Sequence, residues 1–463
     1  MFVHLSDRAA PGTRPTLPDI AYNGNILVNP PIDDGIEDVL MIDTEKVAAI
    51  RDERIDWRFK GLPVALEGDT IGAAADRRLT LFGDEFLGPV LTLDETALDH
   101  NITTMAKWCA QRGVELAPHA KTTMAPQLWA RQLAAGAWGL TAANAAQLRV
   151  YRAFGVSRVL FANQLVDAAA LRWVDRERAA DPAFSFASFV DSVAVADRME
   201  ASLREVGAQP VDVLVELGRT AGRAGARSLE DALAVARKVA ASPLLRLVGV
   251  GGYEGVLVND PSPHSLAVID DFLRRMRELT ITLAGEGLFE TDEILLTAGG
   301  SCFFDRVADI FAGPWPGLSV TTVLRSGCYV THDDGFYRWM SPFSRGETGS
   351  LRPAMRLWAR VTSLPEPGLA LLTAGKRDLS FDAWPPEPQV VRTADGTVRA
   401  LPDCVIKQVN DQHAFVTLPP DHGVAPGDWV GLGLAYPCTA FDKWALIPVV
   451  RGETVVDFVR TYF

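Results

Sequence analysis

Between residues 114 and 325 short apolar runs alternate with longer helical stretches, eight times over. The runs are VELAP (114–118), WGLTA (138–142), RVLFA (158–162), FSFASFV (184–190), VDVLVEL (211–217), LVGVGG (247–252), EILLTA (293–298) and TTVLR (321–325). Helical spacing fits 124–135, 144–153, 192–206, 228–241 and 264–285 between them. A strand that returns through a helix pairs in parallel with its predecessor, and eight repeats is the number that closes a (β/α)8 barrel. An open doubly wound sheet is the rival arrangement.

The flanks read differently. Before the alternation come PVLTLD (89–94), a strand, and Asp94–Gln111, a helix with Leu98, Ile102, Met105 and Cys109 on one side. From about residue 345 the apolar runs are short, alternating and broken by Pro and Gly: AMRLWARVTSL, LALLTA, QHAFVTL, DWVGLGL, WALIPVV and TVVDFVRTYF. These read as an all-β domain over 345–463, with strand 89–94 a candidate to join it. The barrel then occupies 88–344, and 1–87 form an extension. That extension is irregular, with prolines at 11, 15, 18, 30 and 31 and a charged helical patch over Asp43–Phe59. It is expected to pack on the body or to cover a partner subunit.

Charge and cysteine content narrow the function. With 45 basic and 58 acidic residues the net charge is −13, which argues against a general binder of nucleic acid or anionic membrane. The 48% hydrophobic content is too high for a disordered chain. No stretch has the ~20 mostly apolar residues of a membrane span, and MFVHLSDRAAPG lacks the apolar centre of a secretory signal. Five cysteines, at 109, 302, 328, 404 and 438, show no CxxC spacing, so reduced thiols in a cytoplasmic protein are expected.

In a barrel, chemistry gathers at the C-terminal ends of the strands. The first strand runs into PHAKTT, which places His119 and Lys121 there. The fifth leads into GRTAGRAG with Arg223, the sixth ends at Tyr253-Glu254, and the eighth at Arg325 with Tyr329 following. The seventh ends in Gly299-Gly300-Ser301 ahead of a helical stretch. Adjacent glycines, a hydroxyl and a helix N-terminus form a natural cradle for phosphate. A lysine amine and a phosphate cradle at one barrel mouth suit pyridoxal phosphate, whose aldehyde the amine can hold.

PHAKTTMAPQLWARQLAAGAWGLTAANAAQ (118–147) resembles the cofactor-lysine segment of the D-serine dehydratase / D-threonine aldolase family. The likeness continues through ELGRTAGRAGAR, GGYEG, TAGGSCFFD, LRSGCYVTHD, GKRDLSFD and DQHAFV to PCTAFDKW, over roughly 88–463. It implies an alanine-racemase-type fold, a pyridoxal-phosphate barrel followed by a β-domain. It implies that Lys121 carries the cofactor, with His119, Arg223, Tyr253, Gly299, Gly300, Ser301 and Tyr329 around it. Such enzymes also carry a metal motif of a histidine, one residue, then cysteine or aspartate. Here that segment is AYPCTAF, so Cys438 is present but Tyr436 stands at the histidine position. Weak zinc binding or none is the expectation, with Tyr436 in the metal's place.

The function implied is a pyridoxal-phosphate lyase for a D-3-hydroxy-amino acid, with dehydration of D-serine to a keto acid and ammonia as the type reaction. Retro-aldol cleavage of the D-threonine aldolase type is the alternative, and a metal-independent racemase or epimerase is another. Catalytic roles fall to Lys121 and Tyr436. A homodimer is implied by the fold.

Overall fold

The computed structural model describes residues 41–83 and 85–463. The proline-rich part of the extension and the MFVHLSDRAAPG segment lie outside the described residues. The parallel sheet contains eight strands: β2 (Glu115–Leu116), β3 (Leu140–Ala142), β4 (Arg158–Gln164), β5 (Ser185–Val190), β6 (Val211–Leu217), β7 (Leu245–Gly252), β8 (Ile294–Ala298) and β9 (Val320–Leu324). Each falls on one of the eight apolar runs. Consecutive strands pair in parallel from β3 to β9, and β9 then pairs with β2. The ring closes between β2 and β3, where the Trp138 and Thr141 amides donate to the Leu116 and Pro118 carbonyls at 2.8 and 2.9 Å. The open-sheet alternative is thereby excluded.

The sequence dictates the crossovers locally. Helices Ala145–Ala153, Val193–Arg204 and Leu229–Ala240 begin at Asn144, Ser192 and Ser228, whose side chains accept an amide hydrogen three residues on. Each satisfies one of the donors a helix start leaves unpaired. The run of glycines in β7 has a packing cause. A Cβ on Gly251 would stand 2.6 Å from the Phe189 ring, and one on Gly249 only 2.0 Å from the Leu295 carbonyl oxygen. Bare backbone lets Leu160, Phe189, Leu214 and Val248 fill the lumen.

The crossover expected between the third and fourth strands is helix Ala168–Ala180, buried only at Ala170, Leu171 and Val174. Its charged remainder, DRER, hides the periodicity. The stretch before residue 88 is not irregular where it is described. The helix expected over Asp43–Phe59 stops early, as Thr44–Ala48 and a 3-10 turn Ala49–Asp52, because Ile55 is drawn into backbone bonds with Gly68 and Asp69. A further helix, Ile71–Asp76, follows. Ile50, Ile55, Leu66 and Ile71 are buried against Trp358, Trp429, Leu446 and Phe458. Burying each such aliphatic side chain contributes about 1.5–3 kcal/mol, which fastens this stretch to the β-region.

Ten strands form the antiparallel-rich part: β1 (Val90–Asp94), β10 (Met355–Glu366), β11 (Leu369–Leu372), β12 (Glu387–Arg392), β13 (Val398–Ala400), β14 (Val405–Val409), β15 (Ala414–Thr417), β16 (Trp429–Gly433), β17 (Leu446–Arg451) and β18 (Thr454–Arg460). β1 does join this sheet, antiparallel to β10 and parallel to β17. All six alternating runs of the sequence appear as strands, whereas β12, β13 and β14, polar and half exposed, carry no such signal. No helix among the described residues is long and apolar enough to cross a membrane.

Candidate active site

The mouth is built from strand ends that touch in sequence round the ring. His119 donates its amide to the Arg325 carbonyl at 3.3 Å, and the Arg325 amide donates to the Gly299 carbonyl at 3.0 Å. A Cβ on Gly327 would sit 2.6 Å from the His119 carbonyl oxygen and 2.8 Å from the Thr122 hydroxyl, so glycine alone lets the turn after β9 lie on the lysine segment. Ser326 donates to the Gly300 carbonyl at 2.9 Å, and a Cβ on Gly300 would meet the Tyr253 ring at 3.0 Å. The segments bearing Lys121, Ser301 and Tyr253 are therefore neighbours. The Arg223 guanidinium lies over the Tyr253 ring, 4.9 Å from its centroid. Asp191 steadies the Arg223 loop by accepting from the Gly225 amide.

Lys121 stands in a single 3-10 turn, Ala120–Thr122, half-buried, with no hydrogen-bond or ion-pair partner among the described residues. Beside it the His119 Nδ1 is buried without a partner. Burial holds the His119 imidazole well below its usual value, reinforced by the positive charges of Lys121, Arg325 and Arg223. That ring is neutral at pH 7, and the three cations around it favour an anionic guest. The double glycine departs from the expected cradle. The Gly299 and Gly300 amides both donate to the Glu254 carboxylate, at 2.9 and 2.8 Å, and Glu254 is fully buried. Gly299, at φ 94°, occupies a conformation that suits glycine. The Ser301 and Cys302 amides, at the entry to helix Phe304–Phe311, have no protein partner among the described residues.

Arg325 and Tyr329 sit deeper than expected. Arg325 is 2% exposed and spans the top of the lumen, donating to Thr297 Oγ1 at 2.6 Å and the Gly252 carbonyl at 2.5 Å. Its guanidinium faces Phe189. Tyr329 is packed in the core, where its hydroxyl accepts from Gln132 at 2.9 Å. It braces the wall behind the mouth.

The β-region delivers the other side. Tyr436, at φ 64°, stacks on Tyr337 with centroids 6.1 Å apart and ring planes 12° apart. Asp333 fixes this loop: its carboxylate accepts from the amides of Gly335, Tyr337 and Arg338 on one oxygen and of Tyr436 on the other. Burial, aided by nearby Cys438 and Cys328, pushes the Tyr436 phenol up, so it stays protonated and able to donate. Cys438 lies 3.5 Å from the Thr122 hydroxyl, one residue from Lys121, and its sulfur is 3.6 Å from that of Cys328. Sequence reasoning assigns no role to Glu254, Asp333, Tyr337 or Cys328. GGYEG and YVTHD carry the first two in plain view, but nothing local marks a carboxylate whose partners are distant amides.

Known proteins resemble this chain along most of its length. A family model described as a putative serine dehydratase domain matches residues 354–450. The chain is 26% identical over 345 residues to a D-threonine aldolase of an Arthrobacter species, covering 72% of this chain and 85% of that one. It is 27% identical over 255 residues to D-threo-3-hydroxyaspartate dehydratase of a Delftia species, covering 53% and 61%. The crystal structure of D-threonine aldolase from Filomicrobium marinum superposes with a TM-score of 0.67 at 22% identity, covering 87% of this chain and 97% of that one. The chain is thus similar to enzymes of the D-serine dehydratase / D-threonine aldolase family. Alanine racemases share its fold at lower identity.

Against that family, the two implied groups fare differently. Pyridoxal phosphate suits the residues present: a lysine without a partner, a neutral imidazole with a buried orphan nitrogen, and unpaired amides at a helix start. The family's imidazole–thiolate metal pair does not. Tyr436 stands in place of the imidazole, leaving Cys438 as the one member of the pair present.

Proposed function

We propose that this chain is a pyridoxal-phosphate-dependent lyase that eliminates water from a D-3-hydroxy-amino acid, yielding a keto acid and ammonia. The observation that carries the reading is Lys121, without a partner at the barrel mouth and flanked by Thr122 and the Tyr436–Cys438 segment. Lys121 would hold the cofactor aldehyde, the Ser301 and Cys302 amides with the Ser301 hydroxyl its phosphate, and Tyr253 under Arg223 a wall of its pocket. The cofactor supplies an electron sink for charge developing at the substrate Cα. Lys121 Nζ takes the Cα proton. Tyr436, kept protonated by burial, donates to the departing β-oxygen and so makes hydroxide a better leaving group. Arg223, over the Tyr253 ring at the mouth, would receive the substrate carboxylate. We further propose that the enzyme works as a cytoplasmic homodimer.

The 85% coverage of a D-threonine aldolase favours one second reading, cleavage of Cα–Cβ to glycine and an aldehyde. It requires a base at the β-hydroxyl, which a protonated Tyr436 is not. Incubation with D-serine, D-threonine and D-3-hydroxyaspartate, following keto acid, ammonia, glycine and aldehyde, separates the two. Keto acid with ammonia is expected; glycine with aldehyde would replace dehydration by the second reading. Borohydride reduction should fix the cofactor to the Lys121 peptide, and labelling elsewhere would refute the assignment of the mouth.

A further inference from the structure

Cys328 and Cys438 lie 110 positions apart in the chain, one in the 3-10 turn after β9 and the other at the start of helix Cys438–Phe441. Folding brings their sulfurs to 3.6 Å. The Thr122 hydroxyl touches both, at 3.5 Å from Cys438 and 3.9 Å from Cys328. Among the described residues the other thiols, Cys109, Cys302 and Cys404, are buried with no sulfur contact. The two residues also differ in burial, Cys328 being buried and Cys438 half-buried.

We propose that Cys328 and Cys438 are a reversible redox pair that closes to a disulfide when the enzyme meets a hydroperoxide. A disulfide needs its sulfurs about 2.05 Å apart, so they must approach by roughly 1.5 Å, a distance within reach of side-chain rotation. Cys438, the less buried residue of the two, reacts first. Cys438 sulfur attacks the peroxide O–O bond, becoming a sulfenic acid and releasing one water (or an alcohol, from an alkyl hydroperoxide). Cys328 sulfur then displaces the sulfenic hydroxyl as a second water, forming the S–S bond. Two thiols lose two hydrogens and one peroxide bond is reduced, so the exchange balances. The bond fastens the Tyr436–Cys438 segment to the turn after β9, across Thr122 and next to Lys121, and holds the site in one arrangement until a thiol reductant opens it.

The pairing does not depend on which reaction the site performs. Purified holoenzyme treated with hydrogen peroxide, blocked with iodoacetamide and digested without reductant should yield a Cys328–Cys438 linked peptide. Its mass should be two hydrogens below the sum of its parts, and dithiothreitol should abolish it. In Cys328→Ser the same treatment should leave Cys438 two oxygens heavier, as sulfinic acid, because the resolving thiol is gone. Recovery of both cysteines as separate alkylated or over-oxidised peptides from the wild type would overturn the proposal. A Cys438–Cys438 link between chains would do so too. The wild-type map stands if the variant fails to fold.

Discussion

Two buried carboxylates perform the same task on opposite sides of the mouth. On the barrel side Glu254 accepts from the Gly299 and Gly300 amides; on the β-region side Asp333 accepts from four amides, that of Tyr436 among them. Their burdens differ. Glu254 joins the end of β7 to the end of β8, strands already paired in parallel, so it refines a position the ladder supplies. Asp333 reaches 103 residues along the chain to a loop that no ladder holds, where Tyr436 adopts a φ that non-glycine residues rarely take. A barrel rim inherits its geometry from topology. The facing loop needs dedicated struts.

The largest effect that could break this contrast is catalytic. Lys121→Ala should reduce turnover by more than ~10³-fold, and Tyr436→Phe by about 10²-fold, as expected for losing the base and a supporting acid. Equal losses would give the two sides equal weight, and a silent Tyr436→Phe would reduce the β-region to a wall. Next in size is Glu254→Ala. It leaves two amides unpaired at ~1–3 kcal/mol each, so denaturant titration should show a stability loss of about 4 kcal/mol. A loss below ~1 kcal/mol would mean that water takes over both amides.

Acid should test the other side. Burial, with Arg338 nearby, holds His332 down to about 4. Its neutral form therefore contributes stability that is complete above the unfolded value near 6.5 and is lost as pH falls toward 4. The interval of about 2.5 units corresponds to about 3 kcal/mol. Asp333 and Asp334, raised by burial, act oppositely at the lower end because the native state takes up their protons first. His332→Asn should flatten the decline between about pH 6.5 and 4, and an unchanged slope would place the loss elsewhere. The smallest effect expected is that of Asp333→Asn. The amide can keep its oxygen toward Gly335, Tyr337 and Arg338 but turns an N–H toward the Tyr436 amide, a change of about 1–3 kcal/mol. Fluorescence quenching or proteolysis near Tyr436 should rise while the barrel stays intact.

The same asymmetry decides what can be read from residue order alone. All eight barrel strands are legible because buried parallel strands are continuous apolar runs, and β1 is recognisable as a strand outside them. The placement of Lys121, Arg223, Tyr253 and Ser301 follows, since each is tethered to a strand end. Helix Ala168–Ala180 is legible only as an expected crossover, because just three of its residues are buried, and β12 to β14, whose faces are half solvated, are not legible. At the site, the Glu254 clasp, the Tyr337–Tyr436 stack and the Cys328–Cys438 contact are hidden for one reason. Each joins segments distant in sequence, and pairings of that kind leave no periodicity.

β1 is followed at once by the barrel, yet its partners β10 and β17 come only after the barrel ends. In topological terms the barrel is an insertion threaded between two strands of a single sheet. Chain emerging from a ribosome must complete the entire ring before β1 finds its neighbours, which leaves an unpaired strand edge waiting through most of synthesis. Once assembled, the same arrangement has a mechanical use. Barrel and sheet are joined by two covalent crossings, like a door hung on two hinges, and a twist of one against the other is resisted at both. The separation between Lys121 and Tyr436 is thereby held by the path of the backbone itself.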